Sequence, residues 1–376
     1  MTSSYWLSEP WSAPAVRRSD GAVDVAVVGG GVTGCACAHV LAQAGLSVHV
    51  LEAREIASGA SGRNGGFALR GGARAYDDAR RRLGAERAQS LWRLTERYLD
   101  RLESLAGDAF RRTGSLRLAA DAAERSELEA EYQALREDGF DVEWRDELSA
   151  PLAGRFHGAI LHPADGALQP ARWVRRLAAR AAQAGAVLRQ HTRVGSLNEI
   201  EAEQVVVATD GYTSGLVPAL DEAVTPARGQ VIVTEPLGRQ LFPCPHSARH
   251  GYDYWHQTQD GRLVAGGFRD TAFDEETTRE EVTTPAIQGN LERFVAELSG
   301  ERPKISHRWA GIFGNTQDRL PLVGRLPGSD RLWVSVGYSG HGNVMGLACG
   351  ELVAAAILGD PAPELDLFDP ARLISA

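Results

Sequence analysis

The chain has 376 residues, 43% hydrophobic and 24% charged, the profile of a soluble globular protein with room for two domains. Its formal net charge of −9 argues against a nucleic-acid binder, which must neutralise phosphates. Four cysteines make no disulfide framework, no Cys/His pair follows Cys35 and Cys37 at zinc spacing, and MTSSYWLSEPWSAPAVRRSD lacks the apolar run of a signal peptide. With no uninterrupted apolar stretch of ~18 residues, the expectation is a cytoplasmic protein with no membrane span and no metal.

Asp24-Val25-Ala26-Val27-Val28 reads as a strand buried on both faces. GGGVTG follows directly, so Gly29, Gly31 and Gly34 fill G-x-G-x-x-G. CACAHVLAQAG reads as a helix stopped at Gly45, with Cys35 and Cys37 as small core residues, and LSVHVL (46–51) as a second strand ending at Glu52. In this pattern the first glycine turns the chain, the second admits a pyrophosphate to the backbone and the third lets helix and strand pack closely. The helix N-terminus receives the pyrophosphate, and Glu52 accepts hydrogen bonds from the ribose hydroxyls. A lone glycine pattern is weak evidence, but strand, helix, strand and acid together fall within about 30 residues, as a dinucleotide fingerprint requires. Glu52 disfavours NADP on charge grounds, while NAD and FAD both stay open at this point.

SGASGRNGGF (58–67) comes next, a small-residue segment broken by Arg63-Asn64. Placed after the adenosine end of a dinucleotide, it lets the chain run flat against the rest of the cofactor. Here the sequence resembles FAD-dependent oxidoreductases of the D-amino-acid-oxidase type, specifically the γ-glutamylputrescine-oxidase-like amine oxidoreductases. The resemblance rests on SYWLSEP (4–10), VVGGGVTG (27–34), LEAREIASGASGRNGGF (51–67), VVVATDGYTS (205–214), RWAGIFGNTQDRLPLVG (308–324) and GYSGHGNVMGLACGELVAAAI (337–357), and so runs nearly end to end. It implies an α/β protein with a discontinuous Rossmann-like FAD-binding domain (1–75, 150–215 and 305–376). An α+β substrate domain with a large mixed or antiparallel sheet (76–149 and 216–304) completes it. It also implies that Ser61, Arg63, Asn64, Gly65 and Gly66 follow the FAD toward the flavin, the glycines touching it through backbone.

Later segments return to the same cofactor. Residues 164–194 read as loop, helix and strand, the helix burying Val174, Leu177, Ala178 and Ala181 and ending at Gly185, and the resemblance puts Val194 at the strand end beside the adenine. EQVVVAT (203–209) is another buried strand, leading to Thr209 and Gly211 at the cofactor; Asp210, where similar proteins have Asn or Gly, should point away from the phosphates. RLWVSVG (331–337) is a strand, and a helix starts near Asn343 after a loop holding Gly340, His341 and Gly342. Gly346 and Gly350, four apart, allow that helix to pack closely on something flat. In the family its N-terminus faces the flavin, where a helix end favours added negative charge by roughly 0.3–1 kcal/mol. This third contribution favours FAD over NAD. Some relatives tether flavin through a Cys near the WAG segment; Gly314 stands there instead, so non-covalent FAD is expected.

On the substrate side, helical patterns cover 78–105 and 122–138, the first with a solvated Arg80-Arg81-Arg82 run. Strand patterns fill 226–275. Alternation puts Tyr252 and Tyr254 on one strand face, as substrate-facing aromatics, with Trp255 opposite. Arg228, Arg249 and Arg269 are candidates for a substrate carboxylate, and His341 is the one candidate for a catalytic role. The resemblance implies hydride transfer from the carbon next to an amine nitrogen to flavin N5, then imine hydrolysis to aldehyde and amine, with a polyamine- or γ-glutamylputrescine-like substrate. Lys304, the sole lysine, does not fall in the strand around Val264 where relatives carry one, so O2 or another electron acceptor stays open. The alternatives are an amino-acid oxidase or dehydrogenase (sarcosine, glycine or D-amino-acid type) and a non-catalytic flavin-binding subunit; a homo-oligomer is compatible with either.

Overall fold

The computed structural model describes residues 3–14 and 23–374. Expectations for 1–2, 15–22 and 375–376, including part of the N-terminal reading, lie outside the described residues.

The first sheet has six strands in the order Leu322–Arg325, Leu332–Val336, Gln204–Val207, Val25–Val28, Val48–Leu51, Val187–Arg189. Only the Leu322–Arg325/Leu332–Val336 pair is antiparallel. Val25–Val28 is central and buried throughout: Val25 and Val27 face the helical core with Val32 and Leu41, and Ala26 and Val28 face Val194, Leu197 and Ile200. Strand 187–189 is shorter than the sequence suggests. Gln190 turns its side chain to the Ile56 N–H (2.8 Å), His191 takes a φ of +54°, and the Thr192 N–H donates to the Glu52 carbonyl at 2.8 Å. Val194 therefore lies in the following loop, packed beside Ala26 and Val28, and not at a strand end.

The second sheet has eight strands in the order Ile305–Asn315, Thr225–Thr234, Leu263–Gly267, Asp253–Gln257, His246–Ala248, Ser115–Leu118, Ala159–His162, Glu143–Arg145. It is mixed, with His246–Ala248 and Ser115–Leu118 parallel and the other neighbours antiparallel. Two of its strands were expected in the cofactor unit. Ile305–Asn315 pairs along the whole of Thr225–Thr234, and Ala159–His162 pairs with Ser115–Leu118. A small sheet of Phe67–Ala68, Gly166–Leu168 and Phe110–Arg111 joins the two layers.

The helical stretch 78–105 is two helices, Tyr76–Leu83 and Ala85–Ala106, separated at Gly84 (φ +86°). Residues 80–82 carry surface ion pairs to Asp77, Asp78, Glu137 and Asp138. Helix 85–106 does not stay with the substrate layer. Its Leu94, Leu99 and Leu102 share one core with Val32 and Leu347, and Arg101 pairs with Glu351 at 3.0 Å. The C-terminal helix Gly342–Leu358 lies against helix Val32–Gln43: a Cβ on Gly346 would sit 2.7 Å from Val32, and one on Gly350 2.4 Å from the Thr33 carbonyl. The flat partner that the two glycines allow is thus another helix. Contacts advance together along both chains, so the helices run parallel and their N-termini open on the same side.

Among the described residues, no single helix is long and apolar enough to cross a membrane, and no group of three or more His, Cys, Asp or Glu is placed to hold a metal.

Candidate active site

The glycine turn has the geometry that its spacing predicts. Gly29 takes φ +114°, and a Cβ there would meet the Ala208 carbonyl at 2.5 Å; a Cβ on Gly34 would sit 2.0 Å from the Gly29 carbonyl. Gly31 is the N-cap of Val32–Gln43 and offers no capping side chain. Ser61 Oγ, 2.9 Å from where a Gly31 Cβ would be, accepts from the Val32 N–H at 3.0 Å. Glu52 accepts from the N–H groups of Gly30 (2.8 Å) and Arg54 (2.7 Å), which fixes its carboxylate beside the turn.

Segment 58–67 is held by its carbonyls. Ser4 Oγ donates to Gly62 O (2.8 Å), Trp309 Nε1 to Arg63 O (2.8 Å), Trp6 Nε1 to Asn64 O (2.8 Å), and the Leu168 N–H to Gly66 O (2.8 Å). Gly65 O lies 2.9 Å from His256 Nε2, and Phe67 O accepts from Asn343 Nδ2 at 2.7 Å. Six successive carbonyls are therefore committed to protein partners. Among the described residues, the N–H groups of Asn64 and Gly65 have no protein acceptor, although Gly65 is buried. Buried N–H groups in native proteins are almost always paired, so an acceptor-rich group such as a flavin fits here. The parallel helix N-termini at Gly31 and Gly342 flank the same segment and favour negative charge.

The side-chain positions of this segment face protein. Arg63 is buried, with Nε donating to Ser58 O (2.8 Å) and Nη1 to Ala310 O (3.3 Å), so its side chain anchors the loop to strand 305–315. The absent side chains of Gly65 and Gly66 make room for protein: a Gly65 Cβ would meet the Tyr254 ring at 2.7 Å, and a Gly66 Cβ the Leu168 carbonyl at 2.5 Å. Gly211 likewise lies against the Phe313 backbone, and Thr209 Oγ1 bonds Thr213 Oγ1 at 2.7 Å. Asp210 turns toward the strands, where its carboxylate accepts from the N–H groups of Gly314 (3.0 Å), Gly337 (2.8 Å) and Tyr338 (3.3 Å); burial pushes its pKa up against those bonds.

Over this loop stands the face of strand Asp253–Gln257 that carries Tyr254 and His256. Trp255 packs on the opposite face with Phe156, Phe242 and Phe294, as alternation predicts. The Tyr254 ring meets Phe67 edge-on (centroids 5.6 Å), and burial raises its hydroxyl to about 12. Tyr252, one residue before the strand, lies under the Arg269 guanidinium together with Phe273 and Phe313, at centroid distances of 5.4, 5.3 and 5.5 Å. Among the described residues no carboxylate lies within 4 Å of Arg269, and burial lowers its pKa. Arg228 is different. Buried and held by both Glu276 oxygens (2.7 and 3.0 Å), it is a structural ion pair and not a free carboxylate receptor; Arg249 is likewise taken by Asp253 and Asp270 (2.8 Å each). His341 caps the C-terminal helix without a side-chain bond, its Nδ1 lacks a partner, and burial lowers its pKa, so it stands as a neutral ring at the helix start. Gly340, with φ +89°, lies beside the Phe313 ring.

Several contributors escaped the sequence reading: Ser4, Trp6, His256 and Trp309, which hold the loop, and Glu281. The Glu281 carboxylate accepts from Arg54 Nη1 (2.7 Å) and Tyr212 Oη and lies 3.7 Å from Arg63 Nε, tying segment 269–284 to the stretches around Arg54–Arg63 and Tyr212. The SYWLSEP and WAG motifs pointed at these tryptophans, but nothing local says that they donate to a distant loop.

The family described as FAD dependent oxidoreductase (DAO) matches residues 24–356. Gamma-glutamylputrescine oxidoreductase of Escherichia coli is 32% identical over 92% of this chain and 85% of its own length. Glycine oxidase of Bacillus licheniformis is 29% identical over 90% of this chain and 94% of its own. The crystal structure of glycine oxidase from Geobacillus kaustophilus superposes with a TM-score of 0.78 at 25% identity, covering 94% of this chain and 99% of that one. A cradle of helix N-termini, a buried loop with spare N–H groups and a match of this extent identify the chain as a member of the FAD-dependent oxidoreductase (DAO) family, with FAD as its cofactor.

Proposed function

We propose that this chain oxidises the C–N bond of a small amine of the γ-glutamylputrescine class. The observation that carries the proposal is the aromatic group of Tyr252, Tyr254 and Phe313 over the loop at Gly65, bordered by Arg269 with no carboxylate within 4 Å among the described residues. Bound FAD supplies the hydride acceptor, and the imine product hydrolyses to an aldehyde and an amine. The protein's part is to bind and orient the amine and to keep it neutral. Bringing an alkylamine pKa near 10 down by about 3 units costs roughly 4 kcal/mol. Burial among aromatic rings supplies part of that, and the uncompensated positive charge of Arg269 disfavours the ammonium form further. His341 is neutral and close to the helix start, so it acts as a hydrogen-bonding group to the substrate nitrogen or its water. All four cysteines are buried, which supports FAD held without a covalent tether.

The same arginine favours a second reading, an amino-acid oxidase in which Arg269 pairs with a carboxylate on the reacting carbon. Turnover of γ-glutamylputrescine, putrescine, glycine and sarcosine, each with O2 and with an artificial electron acceptor, separates the two. The first reading expects the γ-glutamyl amine to have the highest kcat/KM. A preference for glycine or sarcosine that Arg269→Gln abolishes would establish the second.

A further inference from the structure

The contacts around Arg269 continue away from the candidate site. Phe313 and Asn315 are two apart on strand Ile305–Asn315 and stand on the same face. Arg319 Nη1 donates to Asn315 Oδ1 at 2.9 Å, and Arg319 then lines a cavity of about 380 Å³. The far wall of that cavity is apolar, from Leu83, Leu91 and Trp92. The Trp92 ring lies against Gly71, where a Cβ would be 2.6 Å away, only four residues past Phe67 of the cofactor loop. The cavity thus neighbours the candidate site at two places along the chain, at Gly71 four residues past Phe67 and at Asn315 two residues past Phe313.

Its charge is lopsided. Arg74 and Arg82 also line it, but both are taken by Asp78 at 3.0 Å. The Asp318 carboxylate at the rim is engaged by Arg372 Nε (3.0 Å) and by the Leu320 N–H (3.0 Å). Arg319 has no carboxylate within 4 Å among the described residues. It also occupies φ +67°, a region where glycine or asparagine is at home and arginine is not, so the turn holds this side chain in place against a local preference. Two guanidinium groups, Arg269 and Arg319, are therefore without a carboxylate within 4 Å among the described residues, the first beside the tyrosines and the second in an open pocket with an apolar wall.

We propose that the cavity is a distal subsite for the anionic end of the substrate, a carboxylate several bonds from the reacting C–N bond, with Arg319 as its specificity-determining residue. The apolar wall at Leu83, Leu91 and Trp92 takes the methylene chain, and the guanidinium ends it. This rests on the amine-oxidation reading for the location of the reacting end.

The test compares FAD-loaded wild type, Arg319→Gln and Arg319→Lys with γ-glutamylputrescine and with putrescine, which has no anionic end. The expected result is that the ratio of kcat/KM for the two amines falls at least tenfold in Arg319→Gln and is partly restored in Arg319→Lys. A general folding defect lowers both values and leaves the ratio alone, and an unchanged ratio overturns the proposal. If neither amine is oxidised, the proposed reaction fails and the subsite is tested by calorimetric titration of the holoenzyme with glutarate. Binding weakened at least tenfold by Arg319→Gln supports it; equal binding by both proteins, or none by either, overturns it.

Discussion

The carboxamides of Asn64 and Asn343 face each other, each Nδ2 donating to the other's Oδ1 at 3.1 Å across 279 residues of sequence. Asn64 Oδ1 also accepts from the Gly66 N–H (2.8 Å), and Asn343 Nδ2 donates to Phe67 O (2.7 Å). One amide pair thus fixes the 64–67 loop to the start of the C-terminal helix. Asn343→Ala strips partners from Asn64 and from the Phe67 carbonyl at once, a loss of about 1–3 kcal/mol for each buried group left unsatisfied. The expected outcome is FAD binding at least about tenfold weaker, since 1.4 kcal/mol is a factor of ten. Fluorescence titration of apoprotein with FAD measures it.

Glycine at 350 is a packing requirement. A Cβ there meets the Thr33 carbonyl at 2.4 Å and Ala36 at 2.9 Å, both on a helix that cannot give way without moving the glycine turn. Gly350→Ala should lower stability by about 1–3 kcal/mol and loosen FAD as the two helix N-termini part. Ala on the open C-cap Gly359 is the comparison for strain without crowding, since its Cβ meets nothing within 4 Å although φ is +82°. Chemical denaturation of the three proteins gives the order.

Arg228 and Arg269 should separate cleanly. Arg228→Gln leaves the buried Glu276 carboxylate with Gln230 as its remaining side-chain partner, a break that costs about 3–5 kcal/mol. Its effect should appear in the denaturation midpoint. Arg269→Gln breaks no ion pair, so stability should hold within about 0.5 kcal/mol while steady-state kinetics change.

Acid should destabilise the protein through two buried imidazoles. Burial lowers His256 to about 4 and His246 to about 3, so both rings are neutral in the folded protein. In the unfolded chain they take up protons below about pH 6.5. The stability they contribute is full above that pH and is lost as pH falls from 6.5 toward 4, at up to about 1.4 kcal/mol per pH unit for each ring. His256→Gln keeps an N–H donor for Gly65 O without titrating. Urea denaturation with saturating FAD should show a smaller drop between pH 7.5 and pH 5.5 for this variant than for wild type.

What could be read from the sequence was whatever had a local signature. The strand–turn–helix around Gly29, Gly31 and Gly34 carries its geometry in its spacing, and alternation alone separated Tyr254 from Trp255. Arg228 misled because a lone arginine in a strand looks the same whether or not Glu276, 48 residues away, has already claimed it. Gly346 and Gly350 announced close packing but not the partner, because a small-residue stripe fits a helix as well as a ring. Strand 305–315 crossed to the other sheet because pairing partners are set by tertiary register, which no single segment encodes. Arg319 gave no signal at all; its meaning comes from a cavity assembled by segments more than two hundred residues apart.

The central claim is that a γ-glutamyl amine delivers electrons to the flavin beside Gly65 and Tyr254. The visible spectrum of the FAD-loaded protein, recorded without oxygen before and after adding γ-glutamylputrescine, tests it most directly. Loss of the oxidised flavin band, with aldehyde formed in equal amount, is the predicted result. An oxidised band that persists with γ-glutamylputrescine but bleaches with glycine or sarcosine would contradict it.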